Sequence, residues 1–480
     1  MKTQLFKTRR PNLFKLPILV FALALFTFSC SNEDAEVIQI EAEGPSIIEV
    51  LASYNQAGAV SKGSNSKSSD YEPTFEILSV ALAKNKLTST VSRNRWTVFA
   101  PTDKAFEAIG LNKKNVANFP GIIEILTYHV IGAQVYSSDL ALGTQAVGTI
   151  QGTDVIVTAG EDGSVLVNNS NVVIADLRAR NGVIHAIDSV LSIPSLNLVE
   201  LASSFTDSPN FSILIAAAIR ANLAGALLDV SPETVFAPTN MAFKTFLAAG
   251  SDEEAINTIN SLAPEAVASI LTYHLIDGYV FSNQLSNGYV PTLNGAAVNV
   301  SLDMGPMIND ANVVVANVQA TNGVIHVIDK VLSPPTMNLV DLASSFAPEF
   351  SVLLAAATKA GLAGVLMGDG TYEQLTVFAP TNQAFLNLLD SLDGYSSLDD
   401  FDTEEDIALL TSILLYHVAE GRIYSSDLSN EPVGTLGGSF DLSGLSITTS
   451  SMGTANLVPS LLDIQATNGV IHVVDAVLVP

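Results

Sequence analysis

The chain has 480 residues, too many for one hydrophobic core and enough for about three domains. Apolar residues make up 48% and charged residues 14%, a balance that fills cores and argues against extensive disorder. The net charge is −27, and beyond the first 29 residues it is 16 basic against 48 acidic, or −32. So acidic a chain does not suit nucleic acid, which is bound by neutralising phosphates with Lys and Arg.

Residues 1–29 read as a signal peptide. Lys2, Lys7, Arg9, Arg10 and Lys15 precede an apolar run from Leu16 to Phe28, which is too short for a bilayer span but suits a secretory core. The single cysteine, Cys30, follows at once. It excludes an intrachain disulfide and a thiolate zinc site. Its place resembles a bacterial lipoprotein signal, in which that Cys is lipidated. Phe28 departs from the small residue usual two positions earlier. The expectation is a lipid-anchored protein of the outer membrane or cell surface, tethered by the acidic stretch 30–44.

Ser46–Ser53 starts a helix, which the polar stretch from Tyr54 to Asp70 is expected to interrupt as a loop. Helical spacing resumes over Phe75–Lys84. WTVFAPTD (Trp96–Asp103) reads as a strand with a proline stop, and a helix ending in ILTYHV (Ile125–Val130) leads into further strands, beginning with VYSSDL. RNGVIHAID (Arg180–Asp188) closes the unit. Its Asn-Gly pair predicts a hairpin with positive φ, followed by a central strand buried on both faces. In the second copy of that strand Val324, His326 and Ile328 point one way, and Ile325, Val327 and Asp329 the other.

The same order occurs three times. TVFAPTN recurs at Thr234–Asn240 and Thr376–Asn382. Tyr-His recurs at Tyr128-His129, Tyr273-His274 and Tyr416-His417, and NGVIH recurs around His185, His326 and His472. The repeat is too long for a solenoid and predicts tandem globular domains over 45–194, 195–335 and 336–480, joined at Pro194 and Pro334-Pro335 by short, stiff linkers. In the third copy Thr403 and Asp406 form a capping-box pattern within an acidic run. A calcium site is the alternative reading of those acids.

TVFAPTN, the mid-domain Tyr-His and the terminal TNGVIHVID together resemble the fasciclin domain, in three copies. The resemblance implies an α+β fold, a β-sandwich or wedge with helices packed along it, and a secreted or surface-anchored protein of adhesion or matrix contacts. It also implies receptor binding through an Asp-Ile pair ahead of NGVIH and through the Tyr-His region. Carried onto this chain, the candidates are Asp463 and Ile464 in the third copy, Asp176 and Leu177 in the first, and Tyr416 and His417. The second copy has Asn317-Val318 and loses the acid.

All six histidines lie in the two motifs, which invites an enzymatic or metal reading. His326 and Asp329 face opposite sides of a strand, and no Gly-x-Ser-x-Gly elbow is present. His129, His185, His274, His326 and His472 are therefore expected to be structural, with no cofactor, no metal and no catalytic residue. The expected partner is a surface protein or a polysaccharide, with weak self-association and a lipid-anchored membrane contact. A glycan platform built on Trp96, Tyr136 and Tyr424 is one alternative, and a histidine-dependent hydrolase or metalloenzyme the other.

Overall fold

A computed structural model describes residues 44–61, 73–206, 210–228, 232–392, 394–428 and 430–480. The signal segment 1–29, Cys30 and the tether up to residue 43 lie outside the described residues, as does the stretch 62–72. Residues 44–480 form one unit containing three α+β repeats.

In the first repeat, helices Ile47–Ser61, Glu76–Lys84 and Thr88–Arg93 precede strand Trp96–Pro101. That strand runs parallel to Gly182–Ile187, and both lie inside a seven-stranded sheet. Outward from Gly182–Ile187 the order is Ser170–Ala179, Val165–Val167, Asp154–Ala159 and Gly143–Gly148. Val130–Ile131 covers the other side of Trp96–Pro101. Strand alternation divides two cores. Val98, Ala100, Ile184 and Ala186 pack on the helices. Phe99 and Ile187 pack with Val155, Val157 and Val167, so the outer strands fold back over the sheet's second face. All six residues of Gly182–Ile187 are buried, as expected for a strand covered on both sides.

TVFAPT builds its corner with two hydroxyls. The buried Thr97 hydroxyl donates to the Ala133 carbonyl at 2.7 Å and accepts from the Val135 amide at 2.8 Å. Thr102, just past the proline, caps helix Asp103–Ala108 by accepting from the Ala105 amide at 3.2 Å. Thr239 and Thr381 do the same for Ala242 and Ala384. The capping box at Thr403 and Asp406 also forms, at the start of helix Glu404–Leu415.

The NGVIH asparagine holds each repeat together. The Asn181 carbonyl oxygen accepts from the Ile47 amide at 2.9 Å, at the start of the first helix. Its amide donates to the Val91 and Asn94 carbonyls at 2.6 and 3.1 Å. Asn468 likewise joins the Leu339 amide to the Leu366 carbonyl, both at 2.9 Å. Asn322 accepts from Leu198 and donates to Leu227.

Four local expectations change. The hairpin turn is Arg180-Asn181, between the paired Ala179 and Gly182, so the tight turn is not Asn-Gly. The glycines are needed for close approach instead: a Cβ on Gly323 would stand 2.1 Å from the Glu233 carbonyl, and one on Gly469 2.1 Å from that of Leu375. Helix Ile47–Ser61 runs through Tyr54, because Asn55 accepts from the Phe75 amide at 2.7 Å and the Tyr54 ring meets Phe75 edge-on. The VYSSDL segment is a 3-10 turn, Ser137–Asp139, because Asp139 accepts from the Tyr136 amide at 2.9 Å and closes it. The third repeat splits the long strand into Thr454–Asn456 and Ile464–Ala466 around the 3-10 turn Pro459–Leu461, and its sheet separates into two four-stranded sheets.

Asn181→Ala is expected to cost about 2–4 kcal/mol, since it strands a helix-start amide and two carbonyls. Asn181→Asp keeps the acceptor but turns a carboxylate oxygen on those two carbonyls, so it should cost at least as much. Urea unfolding of both variants checks the order.

Candidate functional site

The Tyr-His pairs point inward in each repeat, and the acids ahead of NGVIH in the first and third repeats are tied to the chain around them. Tyr416 and His417 are each 1% exposed. The Tyr416 hydroxyl donates to the Ser439 carbonyl, as Tyr128 does to Asp154 and Tyr273 to Ala297. These residues tie the helix end to the second sheet half and leave no surface for a partner. That corrects the expectation that Tyr416 and His417 contact a ligand.

The backbone partners fix the state of His129, His274 and His417. Leu191, Leu332 and Leu478 donate their amides to Nε2 at 2.9, 2.9 and 2.8 Å, so Nε2 carries no proton. Nδ1 therefore carries it and donates to the Ile125, Ile270 and Ile413 carbonyls at 2.7, 2.8 and 2.8 Å. Burial pushes each of these pKa values down to about 4, with the carbonyl bond opposing it.

The NGVIH histidines take the other tautomer. Nε2 of His185, His326 and His472 donates to the Val135, Val280 and Ile423 carbonyls at 2.9, 2.8 and 2.8 Å. Nδ1 of His185 and His472 accepts from the Asp176 and Asp463 amides at 3.3 Å. Burial lowers the pKa of all three. Nδ1 of His326 has no hydrogen-bond partner, in the repeat where Asn317 replaces the acid.

Asp176, in a bulge, and Asp463, just ahead of strand Ile464–Ala466, both have left-handed backbone, φ 58° and 57°. Each carboxylate clamps the turn across from it. Asp463 accepts from the Ser425 amide at 2.6 Å and from its hydroxyl, and Asp176 takes the same two donors from Ser137. The Asp463 side chain is 8% exposed and that of Asp176 32%. Burial raises the Asp176 pKa, but the Ser137 bonds and the nearby His185 leave it lowered overall. Asn317 repeats the clamp on Ser282 with a neutral amide. Ile464 and Leu177 are half-buried and pack against the helix-side cores.

A Ser, an Asp and a His do meet here, in an order that does not activate the serine. The hydroxyl bonds the aspartate, the aspartate Oδ1 stands 3.9–4.0 Å from the imidazole Nδ1, and Nε2 is occupied by a backbone carbonyl. Among the described residues no group of three His, Cys, Asp or Glu could hold a metal ion. The strand acids are also engaged: Asp329 and Asp475 accept from the backbone and side-chain amides of Asn312 and Asn456.

The proposed glycan aromatics are occupied as well. Trp96 is half-buried against the helix-side core, and Arg178 lies over the Tyr136 ring at 5.1 Å. Tyr424 is stacked on Tyr289 of the second repeat, with centroids 4.4 Å apart and planes at 9°. This joint between repeats is missed by sequence reasoning, because Gln465 and Tyr424 carry no motif. Both edges of the Gln465 amide bond the Ala297 backbone: Ala297 N donates to Oε1 at 2.9 Å, and Nε2 donates to the Ala297 carbonyl at 2.7 Å.

The Fasciclin domain profile matches residues 73–194, 209–334 and 348–480. The chain is 29% identical over 423 residues to transforming growth factor-beta-induced protein ig-h3 of Sus scrofa, covering 86% of this chain and 57% of that protein. It is 28% identical over 355 residues to periostin of Homo sapiens, covering 72% and 39%. A shorter match, 40% over 142 residues, is to protein sll1483 of Synechocystis sp., covering 29% and 75%. The chain thus spans little more than half the length of the first of these relatives and less of the second.

The buried imidazoles make stability depend on pH. A histidine held at about 4 when folded, against about 6.5 when unfolded, binds its proton in the unfolded state first. Its contribution is complete above about pH 6.5 and falls by roughly 1.4 kcal/mol per pH unit as the pH drops toward 4. His417→Gln, which stays neutral, is expected to flatten the slope of unfolding free energy between about pH 6.5 and 4. Urea unfolding across that range measures it.

Proposed function

The chain belongs to the fasciclin domain family, and from that premise we propose that it is a surface-anchored adhesion protein holding cells to one another, to matrix or within a biofilm. The observation that carries this reading is the use of the motif chemistry inside each repeat. Five of the six histidines have both ring nitrogens hydrogen-bonded, and all six are at most 4% exposed. The motif residues set the scaffold, and contact with a partner falls to the outer surfaces. In this reading Asp463 is a positioning residue that shapes the surface through Ser425, and Ile464 supports it from beneath.

Anchoring is proposed through lipidation of Cys30 at the outer membrane or cell surface, where two acyl chains hold stably and one does not. Among the described residues no helix is long and apolar enough to cross a membrane. The partner is a surface protein or a polysaccharide. Fixing the N-terminus by lipid would leave the third repeat as the one farthest along the chain from the anchor.

The test is attachment of cells displaying the full chain to other cells and to coated surfaces. Ending the chain at Pro335 is expected to lower attachment severalfold, and Cys30→Ser to release the protein from the membrane fraction. Undiminished attachment by the chain ending at Pro335 would remove the third repeat from this account. Turnover of an ester or glycoside substrate, lost in a folded His417→Gln variant, would replace adhesion by catalysis.

A further inference from the structure

The two joints inside the chain use the same docking side and the corresponding receiving strand, with the contact shifted by two residues along that strand. Phe281 and Tyr424 both stand seven residues past the Tyr-His histidine, and Gln319 and Gln465 both stand three before the asparagine of NGVIH. Phe281 and Val324 of the second repeat pack on Ile156 of the first, and Tyr424 and Val470 of the third pack on Ala297 of the second. Gln319 stands beside the Tyr128 hydroxyl across one joint, and Gln465 stands beside that of Tyr273 across the other while bonding the Ala297 backbone. The docking side is therefore the Tyr-His turn with the NGVIH hairpin. The receiving side is the strand that accepts the tyrosine hydroxyl.

A surface that repeats head to tail leaves one copy of each side uncovered at the two ends. On the first repeat, Tyr136 and Arg178 hold the positions of Tyr424 and Gln465. Phe281 and Tyr424 are 1% and 4% exposed at their joints, whereas Tyr136 is only half-buried and Arg178 is exposed. Exposed Arg180, Arg93 and Arg95 share this end, because Asn181 binds the 91–94 segment to the hairpin. Four arginines thus gather at this end beside the acids Glu49, Asp139 and Asp176, an arginine-rich face on a chain of net charge −27. On the third repeat the receiving strand is Gly438–Ser443. The Tyr416 bond places Ser439 where Ala297 stands, and so puts Asp441 where Ile156 stands. Ser439 and Asp441 are both exposed.

We propose that the basic face of the first repeat docks on the receiving strand of the third repeat in a second copy of this chain, continuing the internal joint from molecule to molecule. Continuity with two established joints and opposite charge at the contact both select a second copy as the occupant. The contact is heterologous, so it adds copies head to tail. This does not depend on the adhesion reading: it names a partner for the two ends, and either can fail alone.

The experiment uses the full chain with Cys30→Ser, in detergent. Arg178→Cys and Asp441→Cys are prepared separately, mixed, and treated with a short bismaleimide. A cross-linked dimer is expected in the mixture and in neither preparation alone. Sedimentation of the Cys30→Ser chain without these cysteines should show concentration-dependent association that weakens with salt. Arg178→Asp should weaken it about tenfold, and adding Asp441→Arg should restore it. Three outcomes overturn the proposal: no association at any concentration, cross-links within either preparation alone, or cross-linking that appears only after residues 31–43 are deleted. The last would assign the basic face to the chain's own acidic segment.

Discussion

One side-chain amide per repeat ties together elements far apart in the chain, beneath which a shared core also packs. The asparagine of NGVIH sits at a hairpin turn, accepts from the first amide of a helix that begins the repeat, and donates to a carbonyl of a short helix between them. A helix start has amides with no partner of its own, and burying one unpaired is expensive. The amide group is suited to the task because it offers an acceptor and two donors within one planar group. A carboxylate in its place would meet that carbonyl with like partial charge. The glycine beside it belongs to the same constraint, since the hairpin must lie against a strand carbonyl with no room for a Cβ. The parallel pairing of the TVFAPT and NGVIH strands then follows, and with it the two cores on either side.

Much of this was legible in the sequence. The all-apolar run after Asn-Gly marks a doubly covered strand, Pro-Thr marks a strand stop and a helix cap, and the threefold recurrence marks tandem domains. What could not be read was set by distance and backbone. Asn181 and its helix-start partner are 134 residues apart, so local pattern shows a turn and hides a clamp. The left-handed backbone at Asp176 and Asp463 uses a non-glycine residue, which sequence rules do not flag. The helix through Tyr54 runs past a polar boundary because Asn55 takes a tertiary bond from Phe75, and propensity alone yields to such contacts.

The residues singled out as a candidate site are mostly turned inward and engaged in bonds within their own repeat. An acid beside an apolar residue suggests a recognition pair, and a histidine after a tyrosine suggests chemistry. Both suggestions assume free polar atoms. Here the Asp463 oxygens are taken up by Ser425, and the imidazoles of each repeat are held in opposite tautomers by backbone groups on both sides. The second repeat shows how the arrangement tolerates change. Asn317 holds Ser282 without charge, accepting from its amide and donating to its hydroxyl, while His326 gives up one partner.

The joint at Gln465 has a property of its own. Its amide reads the main chain of residue 297, one donor to one acceptor and one acceptor to one donor, and so takes no account of which side chain stands there. A repeat that presents an open strand edge in that register, with a side chain small enough to lie under Tyr424 and Val470, is an acceptable neighbour. Lengthening the molecule by duplicating a repeat would then ask for few matching changes on the repeat it lands against, and the number of units becomes a quantity that selection can alter one gene duplication at a time.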